Sequence, residues 1–167
     1  MKVSVIIPVC NEEDSLLPVL KEAQKIKPFE IIVVVNGSSD ATKAIAEDAG
    51  CRVIYYEEAL GINIGRAIGA KKAKGDILLF LDGDIAVPHE ELMKYTQAIE
   101  TGHDIALNNL TWIMKRKVRP HPVSVAKYML NLCLQREDLS VQALTAIPHA
   151  IKKTSAAKIG YENLAHP

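Results

Sequence analysis

Val3-Ser4-Val5-Ile6-Ile7-Pro8-Val9 is a continuous run of mostly β-branched residues. A parallel strand buried on both faces requires that pattern, and Pro8, which has no backbone N–H to give a ladder, marks where the strand leaves the sheet. Parallel strands must be joined by crossovers, so helices are expected between them. Asn11 is placed to cap a helix over about Glu12 to Lys25, with acids at its start and lysines toward its end, as the helix dipole favours. Glu30 to Val35 reads as a second strand. It ends in Asn36-Gly37-Ser38-Ser39-Asp40, a turn that hands over to a helix from about Ala41 to Ala49, closed by Gly50. Arg52 to Tyr56 is a third strand, and a helix from about Ile64 to Lys74, stopped by Gly75, leads to a fourth. That fourth strand, Asp76-Ile77-Leu78-Leu79-Phe80-Leu81, delivers Asp82 and Asp84 on either side of Gly83. A helix from Pro88 to about Glu100 and a strand from Asp104 to Leu110 follow.

Alternating strands and helices with short connections imply a Rossmann-like α/β fold, a mostly parallel central sheet flanked by helices, in which ligands bind beyond the carboxyl ends of the strands. Three polar clusters fall at such ends: Cys10-Asn11-Glu12, Asn36-Gly37-Ser38-Ser39-Asp40 and Asp82-Gly83-Asp84. Acids at i and i+2 repel each other unless a cation sits near them, and a strand end can aim their oxygens at a hard divalent ion, Mg²⁺ or Mn²⁺. Gly83 between them lets a phosphate approach the backbone closely. Taken alone, the same three residues are also what a polar turn after a buried strand looks like. Three coincident clusters argue for a site.

The chain's 167 residues fit a single domain able to bury a real core. Its 20 basic and 20 acidic residues cancel, which gives no electrostatic footprint for nucleic acid and no basic stripe for anionic lipid. The one basic concentration, Lys115-Arg116-Lys117 with Arg119, reads as a solvated loop. Cys10, Cys51 and Cys133 are odd in number and far apart, the usage of reduced thiols in a cytoplasmic protein. No apolar run approaches the ~20 residues that span a bilayer, and Met1-Lys2 runs directly into a strand with no signal peptide. The expected location is therefore the cytoplasm, with peripheral association at the inner face of the membrane left open. Val125, Tyr128, Met129, Leu132 and Cys133 recur at helical spacing between Val123 and Leu134, read first as core packing.

Four blocks in register carry a resemblance. Val3 to Glu13, Glu30 to Thr42, Gly65-Arg66 with Gly69 and Lys74-Gly75-Asp76, and Leu81-Asp82-Gly83-Asp84 resemble the successive motifs of family-two glycosyltransferases of GT-A fold, over roughly residues 3 to 110. The resemblance implies an inverting transfer from a nucleotide-diphosphate sugar, UDP-sugar favoured, to a hydroxyl on a glycan, lipid or small-molecule acceptor. It further implies that Pro8, Val9, Asn11 and Glu12 line the base and ribose pocket, that Asn36 faces the base, and that Arg66 approaches the nucleotide. Asp82 and Gly83 would lie by the ribose and diphosphate, with Asp84, and Asp82 beside it, as metal ligands for Mg²⁺ or Mn²⁺. Such a cation would stabilise the negative charge that grows on the leaving diphosphate.

The chain departs from the family at two donor-site positions. Asn36 stands where the family usually has an acid, and an amide donates as well as accepts, which loosens a UDP preference. Cys10 replaces a frequent aromatic and removes a stacking surface for the base. The general base is the larger gap: Ala146 to Gly160 resembles the segment that precedes it, Glu137-Asp138 comes too early, Glu162 too soon after, and the base is expected beyond Pro167. Residues 1–110 then form a nucleotide-sugar-binding half and residues 111–167 part of an acceptor-side half, within one domain, 1–167. A non-catalytic nucleotide-sugar-binding module is the rival reading, and a DxD phosphatase with Asp82 as nucleophile a weaker one, because Ala86 stands where such enzymes want Thr or Val. Gly61, Gly65 and Gly69 at i+4 spacing read as a helix face packed on the sheet. His121, His149 and His166 read as loop residues. An exposed sheet edge leaves self-association open.

Overall fold

The computed structural model describes residues 1–108 and 147–160. Its element order is β1 (Val3–Val9), α1 (Leu16–Lys25), β2 (Glu30–Asn36), α2 (Thr42–Asp48), β3 (Arg52–Tyr56), α3 (Ile62–Lys72), β4 (Ile77–Phe80), α4 (His89–Glu100), β5 (Ile105–Leu107), β6 (His149–Lys152) and α5 (Lys153–Lys158). The basic cluster near Lys115, the stretch Val123 to Leu134, Cys133, Glu137-Asp138, His121, Glu162 and His166 lie outside the described residues. Two compact units are distinguished, residues 1–106 with 148–167 and residues 107–147.

The sheet runs in the order β3-β2-β1-β4-β6-β5. β1 pairs in parallel with β2, from Ser4 opposite Glu30 to Val9 opposite Val35, and with β4, from Val3 opposite Ile77 to Ile6 opposite Phe80. β2 and β3 are also parallel, whereas β6 runs antiparallel to β4. Chain order reverses across β1, and in sheets of this kind the crevice at such a reversal is where ligands bind. Pro8 lies past the last β1–β4 pair, so its missing N–H leaves no ladder bond unmade on that side.

Alternation along β1 divides the core. Val5, Ile7 and Val9 share one buried cluster with Leu16, Val19 and Leu20 of α1 and Leu92 and Ile99 of α4. Ile6 and Pro8 point the other way, toward α3. The unbroken hydrophobicity of β1, β2 and β4 is explained by this double covering, with each fully buried aliphatic side chain contributing about 1.5–3 kcal/mol. α3 approaches closely because a Cβ at Gly69 would collide with Ile6 Cγ2, and one at Gly65 would lie 2.8 Å from Pro8 Cβ. The packing reading of those two glycines therefore holds. Gly61 differs: nothing would crowd a Cβ there, and it is needed for its φ of +87° at the entry to α3.

Three boundaries depart from the sequence reading. α1 begins at Leu16 rather than Glu12, and Asn11 caps no helix, because its backbone is left-handed at φ +55° and its side chain serves another loop. α3 starts and ends two residues early, at Ile62 and Lys72, since Gly61 supplies the turn that admits it. β5 ends at Leu107, short of the expected Leu110, of which residues 109 and 110 are not described. β6 is a strand that the sequence reading does not contain. His149, read as a loop residue, is fully buried in it, opposite Phe80 and stacked on its ring at 4.7 Å between centroids.

At the far end of the sheet from the strand-end clusters, Glu30 ties three elements together. Its carboxylate accepts from Ser4 Oγ at 2.7 Å, from Lys74 N at 2.6 Å and from Arg52 Nη1 at 3.1 Å, while Ser4 Oγ accepts from Gly75 N at 2.8 Å. Burial pushes the Glu30 carboxyl upward, but these donors outweigh it and hold it below the ordinary carboxylate value.

Candidate functional site

The loops that follow β1 and β2 are joined by reciprocal bonds between side chains and backbone. Asn11 N–H donates to Ser38 Oγ at 3.0 Å and Asn11 Oδ1 accepts from Ser39 N at 2.9 Å. Glu12 N–H donates to Thr42 Oγ1 at 2.8 Å, and Glu13 Oε2 accepts from Ala41 N at 2.9 Å. Two strand ends thus become one rigid rim. Asn11, expected to line a ligand pocket, is committed to that rim, while the Glu12 carboxylate accepts from Ser15 Oγ at 2.6 Å.

Behind the rim lies a cavity of about 160 Å³ whose wall includes Pro8, Val9, Cys10, Glu12, Asn36 and Gly61. Asn36 is buried, and its amide orientation is fixed by chemistry. Nδ2 donates to the Val9 carbonyl at 3.3 Å, and Oδ1 accepts from Gly61 N at 3.2 Å. An acid here would face the Val9 carbonyl with an oxygen, so the amide suits this position as the structure builds it. The segment after β3 closes over β2, with Ala59 so near Gly37 that a Cβ there would lie 2.7 Å from the Ala59 Cβ. Gly37 also needs its φ of +75°.

The other half of the site is an ion pair. Arg66, on α3 with only 8% of its side chain exposed, donates from Nη2 to Asp82 Oδ1 at 2.7 Å. Its Nη1 donates to Asn63 Oδ1 at 3.2 Å, and its buried Nε has no partner among the described residues. An unmet buried donor on a charged group is costly, about 1–3 kcal/mol. Asp84 is exposed, and among the described residues its carboxylate takes part in no hydrogen bond or ion pair. Gly83 is buried between them, and a Cβ there would lie 2.5 Å from Val9 Cγ1 and 3.5 Å from Glu12 Cγ. The glycine is thus required by the packing of Val9, whatever else approaches it.

Of the residues expected to form the site, the structure gathers Pro8, Val9, Glu12 and Asn36 around one cavity, joins Arg66 to Asp82, and connects the two groups through Gly83 against Val9. Asn63 and the segment closing over Gly37 were not anticipated. Asn63 could have been found, since it precedes Arg66 by three residues and so shares its helix face. Among the described residues no three His, Cys, Asp or Glu side chains are grouped closely enough to hold a metal by themselves. The donor set nonetheless fits Mg²⁺ or Mn²⁺ of the kind held by one or two carboxylates and completed by substrate phosphates, since Asp84 is open to such an ion. Cys10 and Cys51 are free thiols, and burial pushes Cys51 up to about 11.

A parallel sheet with an antiparallel strand beside β4 and a carboxylate pair beyond the end of β4 defines the GT-A class of fold. The match over residues 4–158 to the model of glycosyl transferase family 2 shows that the chain belongs to that family. It is 37% identical over 153 residues, 81% of its own length, to the undecaprenyl-phosphate 4-deoxy-4-formamido-L-arabinose transferase of Serratia proteamaculans, covering 44% of that protein. With the dolichol-phosphate mannosyltransferase of Pyrococcus furiosus it shares 34% identity over 116 residues, 65% of this chain and 33% of that one. Among solved structures, the glucosyl-3-phosphoglycerate synthase of Mycobacterium tuberculosis in complex with Mn²⁺, UDP and glucosyl-3-phosphoglycerate superposes with a TM-score of 0.73 at 23% identity, over 92% of this chain and 57% of that one. The chain thus spans less than half the length of the two curated relatives.

Proposed function

We propose that this chain carries the donor half of a glycosyltransferase, binding a nucleoside-diphosphate sugar across the carboxyl ends of β1, β2 and β4 with a divalent cation at Asp84. The observation that carries the reading is the unequal commitment of the two carboxylates at one strand end. Asp82 is held by Arg66, while Asp84 is left open, and Gly83 between them packs against Val9, which with Pro8 and Asn36 frames the cavity. The base and ribose would occupy that cavity, and Arg66 would stand near the nucleotide. A UDP-sugar is the favoured donor.

In the transfer, an acceptor oxygen bonds to the anomeric carbon, the bond from that carbon to the diphosphate oxygen breaks, and the nucleoside diphosphate leaves with the electron pair. A bound Mg²⁺ or Mn²⁺ supplies positive charge to the leaving diphosphate. Arg66 and the rim hold the donor so that this charge develops in one place. Both curated relatives are named for polyprenyl-phosphate acceptors, undecaprenyl and dolichol, which makes a lipid phosphate the favoured acceptor class. A phosphate oxygen is already anionic at neutral pH, so such an acceptor needs no carboxylate base to remove a proton. A lipid acceptor also places the chain at a membrane surface, and among the described residues no helix is long and apolar enough to cross one.

Calorimetric titration of UDP, UDP-glucose and GDP-mannose, with and without Mn²⁺, into the chain and into Asp84→Ala tests the donor site. Metal-dependent binding that Asp84→Ala abolishes is the expected result. No binding of any nucleotide under either condition would remove the donor site from this chain.

A further inference from the structure

Arg66 is unusually confined for an arginine at a ligand site. α3 cannot draw back from β1 without opening the close contacts of Gly65 with Pro8 and Gly69 with Ile6, and it cannot advance for the same reason. The guanidinium is held at its other end by Asn63 and is almost wholly shielded from water. A guanidinium keeps its proton at any pH a protein survives. The charge on Asp82 is therefore compensated whether or not a ligand is present, and the strand end offers a cation the single open carboxylate of Asp84. No third acidic or imidazole side chain is grouped with it among the described residues. A hydrated divalent ion gives up its water reluctantly and settles where several anionic oxygens are offered together.

We infer that Arg66 sets the order of binding at this site: by compensating Asp82 it leaves too little negative charge for a divalent cation to settle before a diphosphate does. The inference rests on the donor-site reading and adds to it a positioning role for Arg66 that no contact with the nucleotide by itself would produce. The diphosphate brings the missing anionic oxygens, and the cation enters with it. Without nucleotide the site discriminates poorly between divalent cations and holds none of them tightly.

The test uses Mn²⁺ alone, followed by the loss of the free-ion electron paramagnetic resonance signal, on the unaltered chain, Arg66→Gln, Arg66→Lys and the double variant Arg66→Gln with Asp82→Asn. Arg66→Gln frees the Asp82 charge and should tighten Mn²⁺ binding by about tenfold or more, since one added unit charge acts on a divalent ion at contact range. Arg66→Lys keeps the charge, and the double variant removes both charges together, so each should bind Mn²⁺ within about twofold of the unaltered chain. A residue with only a structural role would tighten nothing. Circular dichroism monitors the fold. Should Arg66→Gln fail to fold, Asp82→Asn decides: it leaves the Arg66 charge uncompensated beside Asp84 and should weaken Mn²⁺ binding by about tenfold, a loss the double variant restores, and no loss would overturn the inference.

The inference is overturned if folded Arg66→Gln binds Mn²⁺ no more tightly than the unaltered chain, or if the double variant loses about tenfold, which would make Asp82 a metal ligand in the free chain. Calorimetry of UDP, CDP, GDP and ADP on the unaltered chain separates the two readings. If at least one nucleotide binds tighter with Mn²⁺ while Mn²⁺ alone is unaffected by Arg66→Gln, the donor site stands and the ordering role of Arg66 falls. If none binds, both fall.

Discussion

Gly83→Ala probes the junction on which the two halves of the site meet. The added methyl would stand 2.5 Å from Val9 Cγ1, against an ordinary carbon–carbon contact of about 3.5–4.0 Å. Its next neighbour, Glu12 Cγ at 3.5 Å, is in ordinary contact, so the cost falls almost entirely on Val9. Gly83 is not among the residues with positive φ, so the backbone admits alanine and no conformational strain is added. Val9 is 3% exposed and has no solvent to turn toward. Overpacking of this kind costs about 1–3 kcal/mol, and about 2 kcal/mol is expected here. Val9→Ala removes two methyl groups at about 0.8 kcal/mol each and leaves a cavity, about 2–3 kcal/mol in all. Because the methyl introduced by Gly83→Ala would fill space that Val9 vacates, the double variant should fall short of the sum of the singles by at least about 1 kcal/mol. Urea unfolding followed by circular dichroism reads these differences from the midpoints, provided the slope is unchanged. A Gly83→Ala chain within about 0.5 kcal/mol of the unaltered one, or a strictly additive double variant, would refute the packing argument. A chain that stays fully stable yet loses nucleotide affinity would show instead that the glycine serves the close approach of a phosphate.

Other consequences follow from groups away from that junction. Glu30→Gln removes a charged acceptor shared by Ser4, Lys74 and Arg52, and should lower stability by about 1–3 kcal/mol in thermal unfolding while leaving nucleotide affinity unchanged, since it lies at the opposite end of the sheet. The carboxyl of Glu22 is lowered from its ordinary 4.5 to about 2, first by the hydrogen bond from Lys25 and then by that from His89 N–H. Glu30 is lowered in the same direction. A depressed folded value means stability present above the unfolded value and lost as pH falls through the folded one, so urea midpoints should drop between pH 4.5 and about 2, less steeply in Glu22→Gln. A flat profile there would contradict both assignments. Alkylation at mildly alkaline pH, followed by peptide mass spectrometry, should modify exposed Cys10 well before Cys51, whose thiol burial pushes up to about 11. Cys10 lies in the cavity wall, so nucleotide with Mn²⁺ should slow its alkylation, and equal rates with and without nucleotide would count against the donor pocket.

Much of the fold is legible because buried parallel strands write themselves as unbroken apolar runs. β1, β2 and β4 each stand out that way, and the turns after β1 and β2 announce the rim. Helix starts are harder to read. Asn11 is a good capping residue in isolation, but the left-handed backbone it adopts sends its side chain to Ser39, a partner 28 residues away that no local rule supplies. Gly61 looks like one of three packing glycines and is instead a hinge into α3. β6 escapes sequence reading because four residues, His149 to Lys152, carry too short a pattern, and only their place between β4 and β5 makes them a strand. The site is legible residue by residue, not as an arrangement. Arg66 and Asp82 both stand out, yet their pairing across 16 residues belongs to the packing of α3, and it changes what the carboxylate pair offers a metal.

Hydrogen–deuterium exchange of the chain with and without Mn²⁺ and UDP, the ligands of the Mycobacterium neighbour and so the first to try, locates the nucleotide directly. The account predicts protection at residues 8–12, 36–40, 59–66 and 81–85, and its loss in Asp84→Ala. Protection confined to any other part of the chain, or unchanged exchange at saturating nucleotide, would contradict it.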